Sequence, residues 1–374
     1  MNGLVSLSAV MTGCLAKAEF AYPNKMFKCM DGNPFPRGLE NVGFKKEQHG
    51  LPMTKLVRSC SIWRALEIMG DSSAMMILEA AWLGARTFGQ FQNATGLRRA
   101  LLSDRLKRIV EKDVMCKALY SERPARYEYR LTEKGQGLYW MSLMMLRWER
   151  IWGDQSQVVK VKLTHKKCGQ IFEPLPLCAT CGHEYSAFEV DWEEGPGVGT
   201  MAANYVRRRQ HRDAIAERNS GSAIMVEVAQ IMGDRWAVLV LRALFTGLNS
   251  FDRIREDSGA ATNILTERLN WMQTLGLVNH NDEEAGGKKT GYRLTRKSTD
   301  IFPILLMLMR WGDTYYASPE GAPVLLTHEP NGHNLSPVVA CSACREELDV
   351  HDVTYELEWP DGVEQNFANP IEEA

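Results

Sequence analysis

No stretch of the 374-residue chain approaches the roughly 18 consecutive apolar residues that a membrane-spanning helix requires, so no membrane partner is expected. A strong charge of one sign is also missing. The 44 Lys and Arg against 46 Asp and Glu leave a formal net charge of −2, which excludes a surface coated in positive charge. A local basic face would still suffice to displace counterions from phosphate. Cysteine is sparse for a disulfide scaffold, nine in the whole chain, and several stand in C-x-x-C pairs. In a reducing compartment such pairs point to metal or redox use. No paired carboxylates, nucleophile–base set or phosphate-cradling glycine loop is recognisable, so no catalytic residues are assigned and an enzyme is the weakest reading. Met11-Thr12-Gly13-Cys14 loosely matches a lipoprotein cleavage site, but the preceding stretch has no basic region and its apolar run is broken. A cytoplasmic location is expected.

What the chain does have is itself, twice. Ile68-Met69-Gly70-Asp71 recurs as Ile231-Met232-Gly233-Asp234, a shift of 231 − 68 = 163. The same shift carries Phe88 to Phe251, Arg105-Leu106 to Arg268-Leu269, and Tyr129-Arg130-Leu131-Thr132 to Tyr292-Arg293-Leu294-Thr295. It also carries Arg147-Trp148 to Arg310-Trp311, Thr164-His165 to Thr327-His328, and Cys178/Cys181 to Cys341/Cys344. A constant offset over that length identifies a duplicated unit, a helical module followed by a Cys/His tail. The Gly/Pro-rich run Glu194-Gly195-Pro196-Gly197 suits the boundary.

Within the first copy, Ile62, Ala65, Leu66 and Met69 fall at helical spacing up to Gly70-Asp71. Residues 74–83 are almost wholly apolar and predict a buried helix that Gly84 ends. Thr87-x-x-Gln90 is a capping box opening a short helix to about Ala94. Gly96 makes a turn, and the next helix spans 99–112 with Leu102, Leu106 and Ile109 inward. Two helices around a tight glycine turn are a helix-turn-helix, whose second helix can enter a major groove. Residues 114–119 and 127–131 then predict a hairpin around 121–124, and Thr132 caps a last helix running through Trp148. The second copy agrees: Ser250 as cap, Ser258-Gly259 as turn, a reading helix over 262–275, Gly276 as left-handed C-cap, and a wing tip over 284–289.

This order, with IMGD ahead of the helix-turn-helix and EYRLTEKG after the wing, resembles the HxlR family of winged-helix regulators. The resemblance covers about 60–154 well and 225–316 less closely. It implies a mainly α fold with small β-hairpins: two winged helix-turn-helix modules, each followed by a short ribbon-like tail. The expected organisation is an extension over 1–52, a first module over 53–156, a tail over 157–195, a connecting helix and second module over 196–318, a second tail over 319–360, and an acidic end over 361–374. The basic run Arg207 to Arg212 belongs to the connector. The implied function is sequence-specific control of transcription on double-stranded DNA, the modules pairing as an intramolecular pseudo-dimer or in a homodimer.

In the first copy Arg98, Arg99, Ser103 and Lys107 are the expected reading-helix contacts, and Arg126 matches the basic wing residue of the family. Arg105 is set aside, because its counterpart Arg268 persists in an otherwise changed helix and fits an internal salt bridge. In the second copy Thr262, Asn263 and Thr266, with wing residues Lys288 and Lys289, are the candidates. Between Gly259 and Gly276 the only charges are Glu267 and Arg268, so phosphate attraction there should be weaker.

His165-x-x-Cys168 followed by Cys178-x-x-Cys181 has the ligand types and spacing of a zinc ribbon within one tail. The second tail has Asn331 at the position of Cys168, with His333 available beside His328, Cys341 and Cys344. Buried thiols in a short β-extension are the plain alternative. Cys60, near a helix start, is a candidate redox-sensing thiol weighed against a buried structural one. The rival function is a winged-helix scaffold that binds proteins through its tails. The basic reading helix of the first copy favours DNA.

Overall fold

The computed structural model describes residues 56–58, 60–123, 125–154, 159–202, 224–281 and 291–358. The expected N-terminal extension, the Arg207 to Arg212 run, the second wing tip with Lys288 and Lys289, and the acidic end lie outside the described residues.

In the first repeat, α1 (Ser61–Met69) starts at Cys60, and α2 (Ser72–Trp82) starts at Asp71, whose carboxylate accepts from the Ala74 amide at 2.9 Å. Residues 73–81 of α2 are all buried, as the unbroken apolar run requires. The Thr87/Gln90 capping box opens α3 (Phe88–Thr95), and Gly96 closes it in the left-handed region at φ +66°. Then come α4 (Arg99–Glu111) and the hairpin β2 (Met115–Glu122) with β3 (Ala125–Leu131). The expected last helix is in fact two. Thr132 caps α5 (Glu133–Gln136) while its hydroxyl bonds the Val114 carbonyl, and a turn at Gly137 precedes α6 (Tyr139–Trp152). A Cβ on Gly135 would lie 2.0 Å from that same carbonyl, so the wing root pins this first turn and the chain must re-aim before α6. The pattern repeats in α7 (Glu227–Met232), α8 (Arg235–Phe245), α9 (Phe251–Ser258), α10 (Thr262–Thr274), β9 (Val278–Asn281), β10 (Gly291–Leu294), α11 (Arg296–Thr299) and α12 (Phe302–Tyr315). Gly259 and Gly276 hold φ +68°, as their places at a turn and a C-cap require; Ser250 stands at the N-cap but makes no side-chain capping bond.

One continuous apolar core runs through both repeats. Its middle is a near-symmetric contact: α1 packs on α12, and α12 on α6. Asp71 and Asp234 meet as an antiparallel bridge between the two IMGD motifs. The Trp148 indole donates to the Lys297 carbonyl at 2.9 Å, and Trp311 donates to Lys134 at 2.8 Å, equivalent bonds exchanged between copies. The symmetry is incomplete. Glu149 accepts from the amides of Val226, Glu227 and Val228, and Glu79 from those of Ile224 and Met225, supplying the cap that α7 lacks. Their counterparts are Gly312 (149 + 163) and Arg242 (79 + 163). Gly312 lets α1 approach: a Cβ there would meet the Ser61 carbonyl at 2.4 Å.

The tails are exchanged. After the first module come β4 (Lys160–His165), β5 (Gln170–Ile171), β6 (Pro174–Cys178), β7 (Val190–Glu194) and β8 (Thr200–Ala202), the last paired with β1 (Leu56–Arg58). The second tail has β11 (Val324–His328), β12 (His333–Asn334), β13 (Pro337–Cys341) and β14 (Val353–Glu358). β4 pairs with β14 and β11 with β7, so the last strand of each tail joins the first strand of the other. β6 and β13 pair antiparallel about their own midpoint, Pro176 opposite Val339. The two tails thus form one intertwined body.

Burial at the α1–α12 contact pushes the Asp313 carboxyl up from 3.8 to about 6, against the opposing effects of the Ser61 hydroxyl that donates to it and of Arg64. A carboxyl with a raised folded-state value contributes stability that is complete below its unfolded value and is lost as pH rises through the folded one. Between pH 3.8 and about 6 the chain should therefore lose stability relative to the Asp313→Asn variant, whose amide does not ionise. Urea unfolding of both proteins across that window checks this. Parallel pH profiles would exclude Asp313 as the titrating group.

Candidate functional sites

Two kinds of site emerge, one on the helix-turn-helix elements and one in the exchanged tails. On α4, Arg98, Arg99, Ser103 and Lys107 are exposed, at or just after the turn. Buried Leu97 anchors that turn, its amide bonded to the Thr95 hydroxyl at 3.3 Å. The Arg99 guanidinium lies over the Phe88 ring at 5.4 Å, and Lys107 stands 3.8 Å from Glu111. Arg126 is exposed on β3 near the wing tip, and the wing is fastened to the turn ahead of α3 by the Tyr129 amide, which donates to the Arg86 carbonyl at 2.7 Å. On α10, Thr262, Asn263 and Thr266 are exposed, although the Thr266 hydroxyl bonds back to the Thr262 carbonyl at 2.9 Å.

The two internal arginines are occupied. Arg105 Nε lies 3.0 Å from Asp71 Oδ2, and Arg268 Nε lies 2.5 Å from Asp234 Oδ2. Arg268 is buried, so the single cation between Gly259 and Gly276 is not available to phosphate. Each IMGD aspartate thus uses one oxygen to cap its helix and the other to hold α4 or α10 of its own module.

The second kind of site corrects the sequence expectation. His165, Cys168, Cys178 and Cys181 do not meet as one set. Instead His165 and Cys168 converge with Cys341 and Cys344, and Cys178 and Cys181 converge with His328 and His333, the ligand atoms of each group all within 4.8 Å of one another. The reason is the pairing of β6 with β13. Cys178 ends its strand opposite Pro337, and Cys341 opposite Pro174, so each C-x-x-C knuckle is delivered to the other tail. In the first group His165 Nδ1 lies 3.4 Å from Cys168 Sγ and 3.3 Å from Cys344 Sγ, with Cys168 and Cys341 sulfurs 3.9 Å apart. In the second, Cys178 Sγ lies 3.2 Å from His333 Nε2, and Cys181 Sγ 3.4 Å from His328 Nδ1. All five of these cysteines are free thiols. These groups could hold metal ions.

Cys60 is buried at the start of α1. Its sulfur accepts from the Trp63 amide at 3.2 Å and from Arg242 Nη1 at 2.9 Å, and Arg242 is in turn ion-paired with Asp257. Solvent does not reach this thiol directly, which favours a structural thiol over a sensing one. Sequence reasoning missed Glu79 and Glu149, whose partners lie in the other repeat, and Arg242, which joins Asp257 of its own repeat to Cys60 of the other; no local spacing signals these contacts.

The profile of the family described as HxlR-like helix-turn-helix matches residues 68–157 and 231–320, one match per repeat. An uncharacterized HTH-type transcriptional regulator of Mycobacterium tuberculosis is 37% identical over 144 residues, which are 38% of this chain and 91% of the relative. A second, from Synechocystis, is 29% identical over 106 residues, 28% of this chain and 78% of the relative. A solved structure, that of PA1607, is 33% identical over 30% of this chain and 79% of its own length, at a TM-score of 0.28.

Removing a guanidinium from a buried ion pair leaves its carboxylate without that partner, a loss of about 3–5 kcal/mol. Arg268→Ala, with both partners buried, should show a loss of that order in urea unfolding. Arg105→Ala should cost less, since Arg105 and Asp71 are both more exposed than Arg268 and Asp234. Equal and small losses would mean that these pairs do not hold α4 and α10 in place.

Proposed function

The chain belongs to the HxlR-like helix-turn-helix family, and we propose that it is a cytoplasmic regulator that reads double-stranded DNA with α4 and α10 and grips phosphate with the wings. The carrying observation is the division of labour among the cations of α4. Arg105 turns inward to Asp71, while Arg98, Arg99 and Lys107 stay exposed around Ser103. An arginine at the start of a reading helix can meet guanine bidentately, and the remaining cations set register on phosphate. Arg126 on the wing supplies a backbone contact flanking the groove. A scaffold that bound only proteins would have no use for that exposed set.

The second module is the weaker partner. Its exposed candidates Thr262, Asn263 and Thr266 are neutral, and Asn suits adenine. From the sequence alone, Lys288 and Lys289 would add two cations to this set. Most of the non-specific affinity, which comes from neutralising phosphate, then belongs to the first module. The operator would be an imperfect palindrome, one strong and one weak half about one helical turn apart.

Two measurements test this. Replacing Arg98 and Arg99 together should weaken operator binding and flatten the dependence of log affinity on log salt by about 0.9 for each phosphate no longer neutralised. Unchanged affinity and slope would remove α4 from the interface and favour the scaffold reading. In footprinting, a variant at Arg99 should lose the whole protected region, whereas one at Asn263 should lose mainly one half. Equal losses, or protection of a single half-site in the unaltered protein, would overturn the asymmetric pair.

A further inference from the structure

We propose that the chain binds two zinc ions, each held by ligands from both repeats, and that these ions lock the two modules together. The first site is His165, Cys168, Cys341 and Cys344; the second is Cys178, Cys181, His328 and His333. The inference does not depend on how DNA is read.

The geometry points to one tetrahedral ion per group. With Zn–S of about 2.3 Å and Zn–N of about 2.0–2.1 Å, tetrahedral ligands stand roughly 3.5–3.8 Å apart along an edge. The contacting pairs stand from 3.2 Å for Cys178–His333 to 3.9 Å for Cys168–Cys341 apart, close to that range, and all ligand atoms of each group lie within 4.8 Å of one another. Five cysteines in this arrangement, none in a disulfide, are the soft ligands that select zinc among the divalent ions, and three imidazoles complete the sets. His165 and His328 are fully buried, and each directs Nδ1 at sulfur, the only polar contact of its ring among the described residues. A buried imidazole with no other purpose is costly unless something binds its lone pair. Four protein ligands leave no open position, so the ions would be structural rather than catalytic. Binding would release the thiol protons to solvent.

The second site also accounts for a departure from the repeat. Cys168 has no cysteine counterpart at 168 + 163 = 331, where Asn331 stands. His333 on β12 reaches Cys178 instead, so the ligand number is kept and only the set changes, from one His and three Cys to two of each. Each ion would close a loop between residues more than 150 positions apart: 173 for Cys168–Cys341 and 155 for Cys178–His333. Such a link removes much of the freedom of one repeat relative to the other, by the same logic as a disulfide closing a long loop.

The test must separate cross-repeat sites from two ribbons built within each tail, which would use the same eight residues. Full-length protein purified in reducing buffer should contain about two zinc ions by elemental analysis. Cys341→Ser with Cys344→Ser should leave about one, and X-ray absorption should find it bound by two sulfurs and two nitrogens. Cys178→Ser with Cys181→Ser should leave about one bound by three sulfurs and one nitrogen. Ribbons within each tail predict the two ligand sets reversed, and that result would overturn the proposal, as would absence of stoichiometric metal from folded, reduced protein. Should either variant fail to fold, the unaltered chain loaded with cadmium decides the matter by nuclear magnetic resonance. One metal resonance should couple to the β-protons of Cys168, Cys341 and Cys344, the other to those of Cys178 and Cys181. Coupling of Cys168 and Cys178 to one metal would refute cross-repeat coordination.

Discussion

Everything in this molecule hangs on the contact where Asp71 meets Asp234. Their backbones pair there across a near-symmetric axis, and each carboxylate is satisfied from within its own module. One oxygen takes helix amides, and the other takes the guanidinium of Arg105 or Arg268. The consequence reaches the surface. Because that arginine sits on α4 or α10, each of these helices is tied by an ion pair to the aspartate at the junction between repeats. Gly233 belongs to the same junction, since a Cβ there would lie 2.5 Å from the Ser72 amide nitrogen of the other repeat, whereas one on Gly70 would meet the Leu66 carbonyl of its own repeat at 2.3 Å.

A pair of identical subunits must solve every interface problem twice with the same residue. A tandem chain need not. Glu149 in the first copy bonds the free amides at the start of α7; Gly312, its counterpart, instead opens room for α1 to lie against α12. Glu79 does similar work for Ile224 and Met225, while Arg242 at the matching position pairs with Asp257 and touches Cys60. Each helix start in the pair is satisfied, but by different chemistry. The same freedom let the exposed faces of α4 and α10 diverge, one basic and one without an exposed cation, on a shared scaffold.

Much of this was legible in the sequence because it is local. A capping box at Thr87 and Gln90, a left-handed glycine at Gly96 or Gly259, and an apolar run over α2 each depend on residues within one or two turns. Arg105 could be set aside as internal because its persistence at Arg268 survived the loss of the other charges around it, and an ion pair is a two-body constraint that a repeat exposes. The last helix of the module reads as continuous in sequence, since the break between α5 and α6 is imposed by the Val114 carbonyl pressing on Gly135, a tertiary contact with no local spacing.

The exchange of tails lay beyond the sequence for a deeper reason. A constant offset of 163 residues states that two units are alike, and it is preserved whether β7 returns to its own β4 or crosses to β11. Strand periodicity is equally blind, because equivalent partners present the same residues: Leu163 faces Tyr355, and Leu326 faces Trp192, in matching register. What decides between the two is the self-pairing of β6 with β13 about Pro176 and Val339, which carries the chain across the axis before the last strand is laid down. Once across, β7 finds the open edge of β11 nearest, and the knuckle at the end of β6 is already beside His328 and His333. Crossing therefore fixes both which strands pair and which ligands gather. The two Cys/His clusters belong to the junction between the repeats, rather than to either repeat alone.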